Sequence, residues 1–95
     1  MPNNIPELSV AELLMAIARS LVDLPEDVSL NQVSSETGTL LRLKVHSTDV
    51  GKVIGKQGRT ARSIRTLLGA ISVKYNHRYS LEIVEDVDSS AMDRN

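Results

Sequence analysis

The chain has 95 residues and a mass of 10.4 kDa, the size of one small domain and too short for two independent hydrophobic cores. Its composition, 41% hydrophobic and 24% charged with a formal net charge of −1, is typical of a folded globular protein and excludes a low-complexity chain. The absence of cysteine excludes disulfides, thiolate nucleophiles and cysteine-ligated zinc.

The first residues carry no recognisable targeting signal. Residues 1–7 lack a basic segment followed by an apolar one, and no apolar run approaches the roughly 18 residues needed to span a membrane. Together with the missing cysteines, which fit a reducing compartment, this predicts a cytoplasmic protein.

The first predicted helix covers residues 9–23, after an N-terminal extension at residues 1–8. Ser9 and Glu12 have the spacing of a capping box. Apolar residues then recur at helical spacing until Pro25, which is unfavourable in a continuing helix. These apolar residues are Val10, Leu13, Leu14, Ile17 and Leu21.

Two strands are predicted next. Residues 28–31 begin a weak period-two pattern, and residues 39–46 continue it strongly, with Leu41, Leu43 and Val45 on one face. Turn-forming residues separate the two runs, so an antiparallel hairpin is expected.

Two helices follow the hairpin. Ser47 and Thr48 are predicted to cap a short helix that ends at Gly55, and a longer helix is predicted at residues 59–73. At about 100° per residue this longer helix has an apolar arc opposite a basic arc. The apolar arc contains Ala61, Ile64, Leu67, Leu68 and Ile71, and the basic arc contains Arg59, Arg62 and Arg65.

A last strand completes the domain, with Tyr79, Leu81 and Ile83 alternating along it. Residues 86–95 are acidic and are predicted to be a disordered tail. The order α-β-β-α-α-β predicts an α+β domain at residues 9–85, with a three-stranded mixed sheet and helices packed on one face. The second and third strands, which a two-helix crossover joins, should be parallel.

Positive charge is concentrated in one segment. Residues 50–81 contain seven Lys or Arg and no Asp or Glu, a charge of +7, whereas the rest of the chain carries −8. Solvated helix faces normally mix both signs, so this block indicates a surface that binds a polyanion. Arg65 and Lys74 are interpreted as the ordinary surface residues of the block.

The turn Gly55-Lys56-Gln57-Gly58 between the two helices carries the clearest chemical signal. Its glycines permit positive φ and leave no Cβ in the way of a ligand. The turn leads into a helix N-terminus, where free N–H groups and the helix dipole favour anions. Lys52, Arg59 and Arg62 add positive charge, so the segment predicts binding of a phosphodiester chain.

Other chemistry fits the sequence poorly. A P-loop is excluded, since Gly51 and Gly55 are one residue too close together and Gln57 replaces the Ser or Thr that binds Mg²⁺. His46 and His77 are isolated, so no metal site is predicted, although His77 is either a surface residue or a ligand contact. The basic block has no carboxylate to orient a catalytic histidine. We therefore predict no enzyme and no cofactor.

The segment around the turn Gly55-Lys56-Gln57-Gly58 resembles the KH domain. The signature of that domain is an apolar pair, then I-G-x-x-G, then a helix with an apolar residue a turn or two later. Val53, Ile54 and Ile64 match the apolar positions. The element order resembles the type II arrangement over residues 9–84, and residues 49–61 are similar to the KhpA family of small bacterial KH proteins. Ala61 replaces a larger aliphatic residue of many KH domains, which implies a shallower groove.

The resemblance implies binding of single-stranded RNA, with about four bases in a groove between helices and sheet. The turn would clamp the RNA backbone, two isoleucines would form groove walls or the core beneath them, and three cations would neutralise phosphates. These residues are Gly55, Lys56, Gln57 and Gly58, then Ile54 and Ile64, then Lys52, Arg59 and Arg62.

The same resemblance implies an RNA chaperone in post-transcriptional regulation, with a Jag/KhpB-like KH partner and a link to cell elongation, division and shape. The alternative is a protein-interaction module with little RNA binding, which pairs as a homodimer or with another subunit. Its contact would use the first helix, the outer sheet face or the region around Ala70 and Ile71. A salt series distinguishes the two functions. The affinity for RNA falls steeply with salt concentration, whereas a purely protein-interaction module would show no such dependence.

Overall fold

The computed structural model describes residues 7–86. Its helices and strands are α1 (Glu7–Leu21), β1 (Ser29–Ser34), β2 (Gly38–His46), α2 (Val50–Ile54), α3 (Arg59–Tyr75) and β3 (Arg78–Asp86), with 3₁₀ turns at Pro25–Asp27, Ser47–Asp49 and Lys56–Gly58. The predicted α+β class and the order α-β-β-α-α-β are confirmed.

The strands form one sheet in the order β1-β2-β3. β1 runs antiparallel to β2, with Ser34 opposite Thr39, and β2 runs parallel to β3, with Gly38 opposite Arg78. Both predicted pairings are confirmed. Because β3 pairs only with β2, its other edge lies outside the ladder.

The core lies between the sheet and the helices. Leu41, Leu43 and Val45 are fully buried on one face of β2, as their alternation predicts. The other buried apolar residues of this cluster are Val10, Leu14 and Ala18 of α1, Val28, Val53 of α2, Ile64 and Leu68 of α3, and Tyr79 and Leu81 of β3. On the alternate positions, Arg42 Nε lies 3.2 Å from Glu82 Oε1 in a cross-strand ion pair. Helices therefore cover one face of the sheet, as predicted.

Helix α1 differs from its prediction at both ends. It begins at Glu7, so Ser9 lies inside the helix and the predicted start there is wrong. An acidic residue after a proline suits the first turn of a helix as well as a capping box does. The helix ends at Leu21, because the backbone N–H groups of Asp23 and Leu24 donate to the Asp49 carboxylate at 3.2 and 3.0 Å.

The cap predicted at Ser47 and Thr48 is also wrong. Both residues lie within a 3₁₀ turn whose N-cap is His46. The His46 Nδ1 atom accepts a hydrogen bond from the Thr48 N–H at 3.2 Å and lies 2.9 Å from Thr48 Oγ1. A ring nitrogen supplies the acceptor that a Ser or Thr hydroxyl supplies in the sequence rule.

Helix α3 is two residues longer than predicted, and its predicted apolar arc is too wide. Leu67 is 55% exposed and lies beside Leu13 in a shallow apolar groove between α1 and α3.

At the end of helix α3, Ser72 Oγ donates to the Leu68 carbonyl at 2.7 Å and accepts from the Tyr79 N–H at 2.9 Å. This bridge joins the last turns of α3 to the start of β3.

Most of the predicted extension and tail lie outside the described residues. Of the extension at 1–8, Glu7 and Leu8 belong to α1, and of the tail at 86–95, Asp86 is the last residue of β3. Across residues 7–86, none of the helices has the length and apolar character to cross a membrane.

Candidate nucleic-acid interface

The turn between α2 and α3 has the backbone conformation that its glycines predict. Gly55 and Gly58 have φ values of 81° and 75°, in the region that glycine adopts without a steric penalty. The Gly58 N–H donates to the Gly55 carbonyl at 3.0 Å, and the Gly55 N–H donates to the Gly51 carbonyl at 2.8 Å. The turn is therefore a tight, internally bonded connection.

The two glycines are required for different reasons. A Cβ on Gly55 would lie 2.7 Å from Thr60 Cβ and 2.8 Å from the Thr60 nitrogen, so the first turn of α3 leaves no space for a side chain. A Cβ on Gly58 would meet no atom within 4 Å. The backbone at Gly58 therefore faces open space and is accessible to a ligand.

Gln57 is also left-handed, with φ 57° and ψ 26°. This conformation costs a non-glycine residue about 1 kcal/mol, and such strain is concentrated at functional sites. The Gln57 side chain is exposed, and its Oε1 accepts a hydrogen bond from Arg59 Nη2 at 3.3 Å. The turn thus holds a strained, exposed residue between its glycines.

Four basic side chains near the turn form no ion pair with the described carboxylates. Lys56, Arg59, Arg62 and Arg65 are all exposed. Among the described side chains, those of residues 10–86, no carboxylate forms an ion pair with any of them. Their charge is therefore available to an anionic ligand.

Lys52 is in a different environment. Its Nζ lies 3.4 Å from Asp23 Oδ2 and 3.6 Å from Asp49 Oδ1. The structure therefore brings Lys52 to the segment after α1, where two carboxylates already compensate its charge. Its role in neutralising phosphates stays a prediction.

Asp49 is the residue that sequence reasoning missed. Its side chain is only 1% exposed. Burial by itself raises the pKa of Asp49, but the N–H groups of Asp23 and Leu24 and the charge of Lys52 outweigh burial, so the pKa lies below its ordinary value. Asp49 joins the segment after α1 to the start of α2. In the sequence, an Asp before a short helix predicts an exposed cap equally well, so no local signal marked it as buried.

A groove of about 550 Å³ lies beside the turn, between α3 and β3. It is lined by Ile54 and Gly58, by Ala61, Arg62 and Arg65 of α3, and by Leu81, Glu82 and Ile83 of β3. Ile54 is 37% exposed and forms part of the wall, whereas Ile64 is 5% exposed and belongs to the core. The two isoleucines thus divide the predicted roles of wall and core between them.

Arg65 and His77 occupy more defined positions than the sequence indicated. Arg65 lines the groove, and its Nη2 donates to the Leu81 carbonyl at 3.3 Å. His77 Nε2 lies 2.8 Å from Thr39 Oγ1, and its ring is 4.9 Å from the Tyr79 ring. We therefore interpret His77 as a structural residue. In the described part of the chain, no group of three His, Asp or Glu side chains is arranged to hold a metal ion.

The class of protein follows from the fold and the turn together. The α-β-β-α-α-β order, the mixed sheet and a Gly-x-x-Gly turn between the two central helices are the features of a KH domain. A family model described as KhpA/KhpB, KH domain, matches residues 11–83. The chain belongs to this family of KH-domain proteins, and its members are not enzymes, in agreement with the prediction from the sequence.

Relatives with about half of their residues identical cover nearly the whole domain. The RNA-binding protein KhpA of Borreliella burgdorferi is 51% identical over 74 residues, which are 78% of this chain and 90% of that protein. The protein of the same name from Clostridium perfringens is 52% identical over 73 residues, 77% of this chain and 97% of that one. The protein of the same name from Treponema pallidum is 50% identical over 74 residues, 78% of this chain and 92% of that one.

A solved structure with the same fold is more distant in sequence. A crystal structure of Era from Aquifex aeolicus matches with a TM-score of 0.54 and 17% identity, covering 90% of this chain. This chain spans about a third of that protein, 34% of its length. The likeness supports the fold alone.

Proposed function

We propose that this protein binds single-stranded RNA, with the RNA backbone at the turn Gly55–Gly58 and the bases in the adjoining groove. The observation that carries the proposal is the open backbone at Gly58, next to unpaired cations and the groove. Relatives with about half of their residues identical bear the name RNA-binding protein, which supports the same activity.

The phosphates would be bound by backbone and side chains together. The first turn of α3 has N–H groups without helical partners, and its dipole favours negative charge. Lys56, Arg59 and Arg62 add mobile charge, while Gly55 and Gln57 maintain the turn conformation. In this arrangement Lys52 acts from one turn further back, and phosphate binding competes with its two carboxylates.

The bases would be bound by aliphatic surface. The chain has no Trp and no Phe, and neither of its two tyrosines lines the groove. Bases would therefore pack against Ile54 and Ile83 instead of stacking on aromatic rings as in other RNA-binding folds. Ile64 would support this wall from the core beneath it.

We propose further that the protein acts with a second KH subunit, either a Jag/KhpB-like protein or another copy of itself. One KH unit contacts about four nucleotides, so pairing increases affinity through effective concentration. The family resemblance extends this to an RNA chaperone in the bacterial cytoplasm, linked to post-transcriptional regulation, cell elongation and division.

A second candidate function is protein interaction with little RNA binding. Leu13 and Leu67 are 50% and 55% exposed, and both line the apolar groove between α1 and α3. Leu67 lies about 200° around α3 from Arg65, on the side away from the RNA groove. A partner on this face would therefore leave the RNA groove open, so the two functions are compatible.

The proposal is tested by fluorescence anisotropy with labelled single-stranded RNA across a salt series. The double variant Lys56→Asp with Gln57→Asp puts two carboxylates at the clamp, and Lys44→Asp with Gln32→Asp makes the same chemical change at exposed positions of the sheet. Circular dichroism checks that both variants fold.

We expect the wild-type affinity to fall by about 0.7 log units per log unit of salt for each phosphate contact. The turn variant should lose binding and the sheet variant should retain it. If the wild type binds no RNA, either alone or with a second KH protein, the protein-interaction function is the correct one.

A further inference from the structure

The position of Arg65 is not explained by general attraction to phosphates. Its Nη2 donates to the Leu81 carbonyl at 3.3 Å, and both residues line the groove. Because β3 pairs with β2 on one side only, this carbonyl points to the free edge of the sheet. Arg65 therefore occupies the hydrogen-bonding position that a further strand would otherwise take.

We infer that Arg65 determines which bases the groove accepts, by presenting hydrogen-bond donors where the strand edge would otherwise present an acceptor. The inference rests on the proposed binding of RNA in this groove. A free Leu81 carbonyl would accept from the N6 and N4 amino groups that adenine and cytosine carry where guanine and uracil carry the O6 and O4 oxygens. With Arg65 in place, that acceptor is engaged, and the guanidinium, which has five donors and no acceptor, adds N–H groups to the lining of the groove.

The other polar groups of the groove favour the same selection. Glu82 is the one carboxylate among the described residues that line the groove. Its Oε1 atom lies 3.2 Å from Arg42 Nε, in an ion pair across the sheet. Hydrogen-bond donors on the protein bind acceptor atoms on the base, and an arginine pairs best with the O6 and N7 atoms of guanine. Uracil presents its O4 oxygen where cytosine presents an amino group, so guanine and uracil are the expected bases.

Arg62 provides a natural control on the same helix. Like Arg65 it is exposed and lines the groove, but no hydrogen bond or ion pair with the side chains described at residues 10–86 occupies its guanidinium. A cation that only neutralises phosphate contributes equally to every RNA sequence, whereas a base-reading residue changes the preference among sequences. Loss of Arg62 should therefore lower the affinity for all RNAs by one common factor.

The test uses four labelled RNAs with identical flanks whose central dinucleotide is AA, CC, GG or UU. Affinities are measured by anisotropy at one salt concentration for the wild type, Arg65→Ala, Arg65→Lys and Arg62→Ala, each checked for folding by circular dichroism. We expect the wild type to prefer GG and UU by roughly fivefold or more, the value of one good base contact.

Arg65→Ala should lose or reverse this preference, because it frees the Leu81 carbonyl for the amino groups of AA and CC. Arg65→Lys retains the charge but not the planar fork, and it should lose the preference as well. Arg62→Ala should keep it.

Equal weakening of all four RNAs by Arg65→Ala would show that Arg65 is only a phosphate contact and would overturn the inference while leaving RNA binding intact. A wild type that binds all four equally would do the same. A wild type that binds none of them would overturn the proposed function together with this inference.

Discussion

The two ends of helix α2 are built in opposite ways. At its N-terminal end Asp49 is buried, and its carboxylate is bonded to two backbone N–H groups and paired with Lys52. At its C-terminal end the turn Gly55–Gly58 is open, strained at Gln57, and flanked by unpaired cations. A five-residue helix has little stability of its own. We therefore infer that the buried end positions the helix so that the open end can present its backbone.

The largest expected effect is at the open end, from Gly55→Ala. The φ and ψ of Gly55, 81° and 169°, are almost restricted to glycine, and the new Cβ would overlap Thr60. We expect a loss of about 2–5 kcal/mol in the free energy of unfolding, from backbone strain and overpacking together, measured by urea denaturation. Gly51→Ala is the control: it is helical with free space around its Cβ, and should gain up to about 1 kcal/mol. A stable Gly55→Ala protein would contradict this account of the turn.

The buried end should respond to Asp49→Asn and to pH. The folded-state pKa of Asp49 is below its ordinary value, so its contribution to stability is present above the unfolded-state pKa. That contribution is lost as the pH falls through the folded-state pKa, in the region below about pH 4. At neutral pH the variant should therefore melt at a lower temperature than the wild type, with the difference shrinking in acid. Equal melting temperatures at neutral pH would show that the Asp49 carboxylate contributes nothing to the stability of the fold.

Gly58→Ala should separate binding from stability. Its φ of 75° makes alanine unfavourable by about 1 kcal/mol, but the Cβ meets no protein atom. We expect a modest loss of stability by urea denaturation and a larger loss of RNA affinity by anisotropy, because the methyl group occupies the space that the RNA backbone would approach. Unchanged affinity in the folded variant would place the RNA away from this residue.

The smallest effect is expected from Asp23→Ala, which removes one of the two carboxylates that pair with Lys52. The Asp23 side chain is 77% exposed, so its ion pair contributes less than about 1 kcal/mol to stability. Removing it leaves Lys52 with one carboxylate instead of two and should slightly increase RNA affinity at low salt. A decrease in affinity would mean that Lys52 has to be held by both carboxylates to contribute to binding.

Prediction from the sequence succeeded where the signal is local and failed where it is not. The alternation of Leu41, Leu43 and Val45 defined the buried face of β2, since it depends only on the strand period. Leu67 was assigned to the core by the same kind of pattern and is exposed, because the helical period does not show how far a neighbouring helix extends. Arg65 has a groove position that no spacing of arginines could reveal.

The order of elements, the strand pairing and the glycine turn could all be predicted from the residues, because periodicity, turn chemistry and the conformational freedom of glycine act within a few residues. The burial of Asp49, the pairing of Lys52 with Asp23 and the contact of Arg65 with an edge carbonyl are visible only in the folded molecule. The hydrogen bonds concerned join residues 26, 25 and 16 positions apart. Such contacts depend on how the elements pack, and packing leaves no mark in the local pattern of residues.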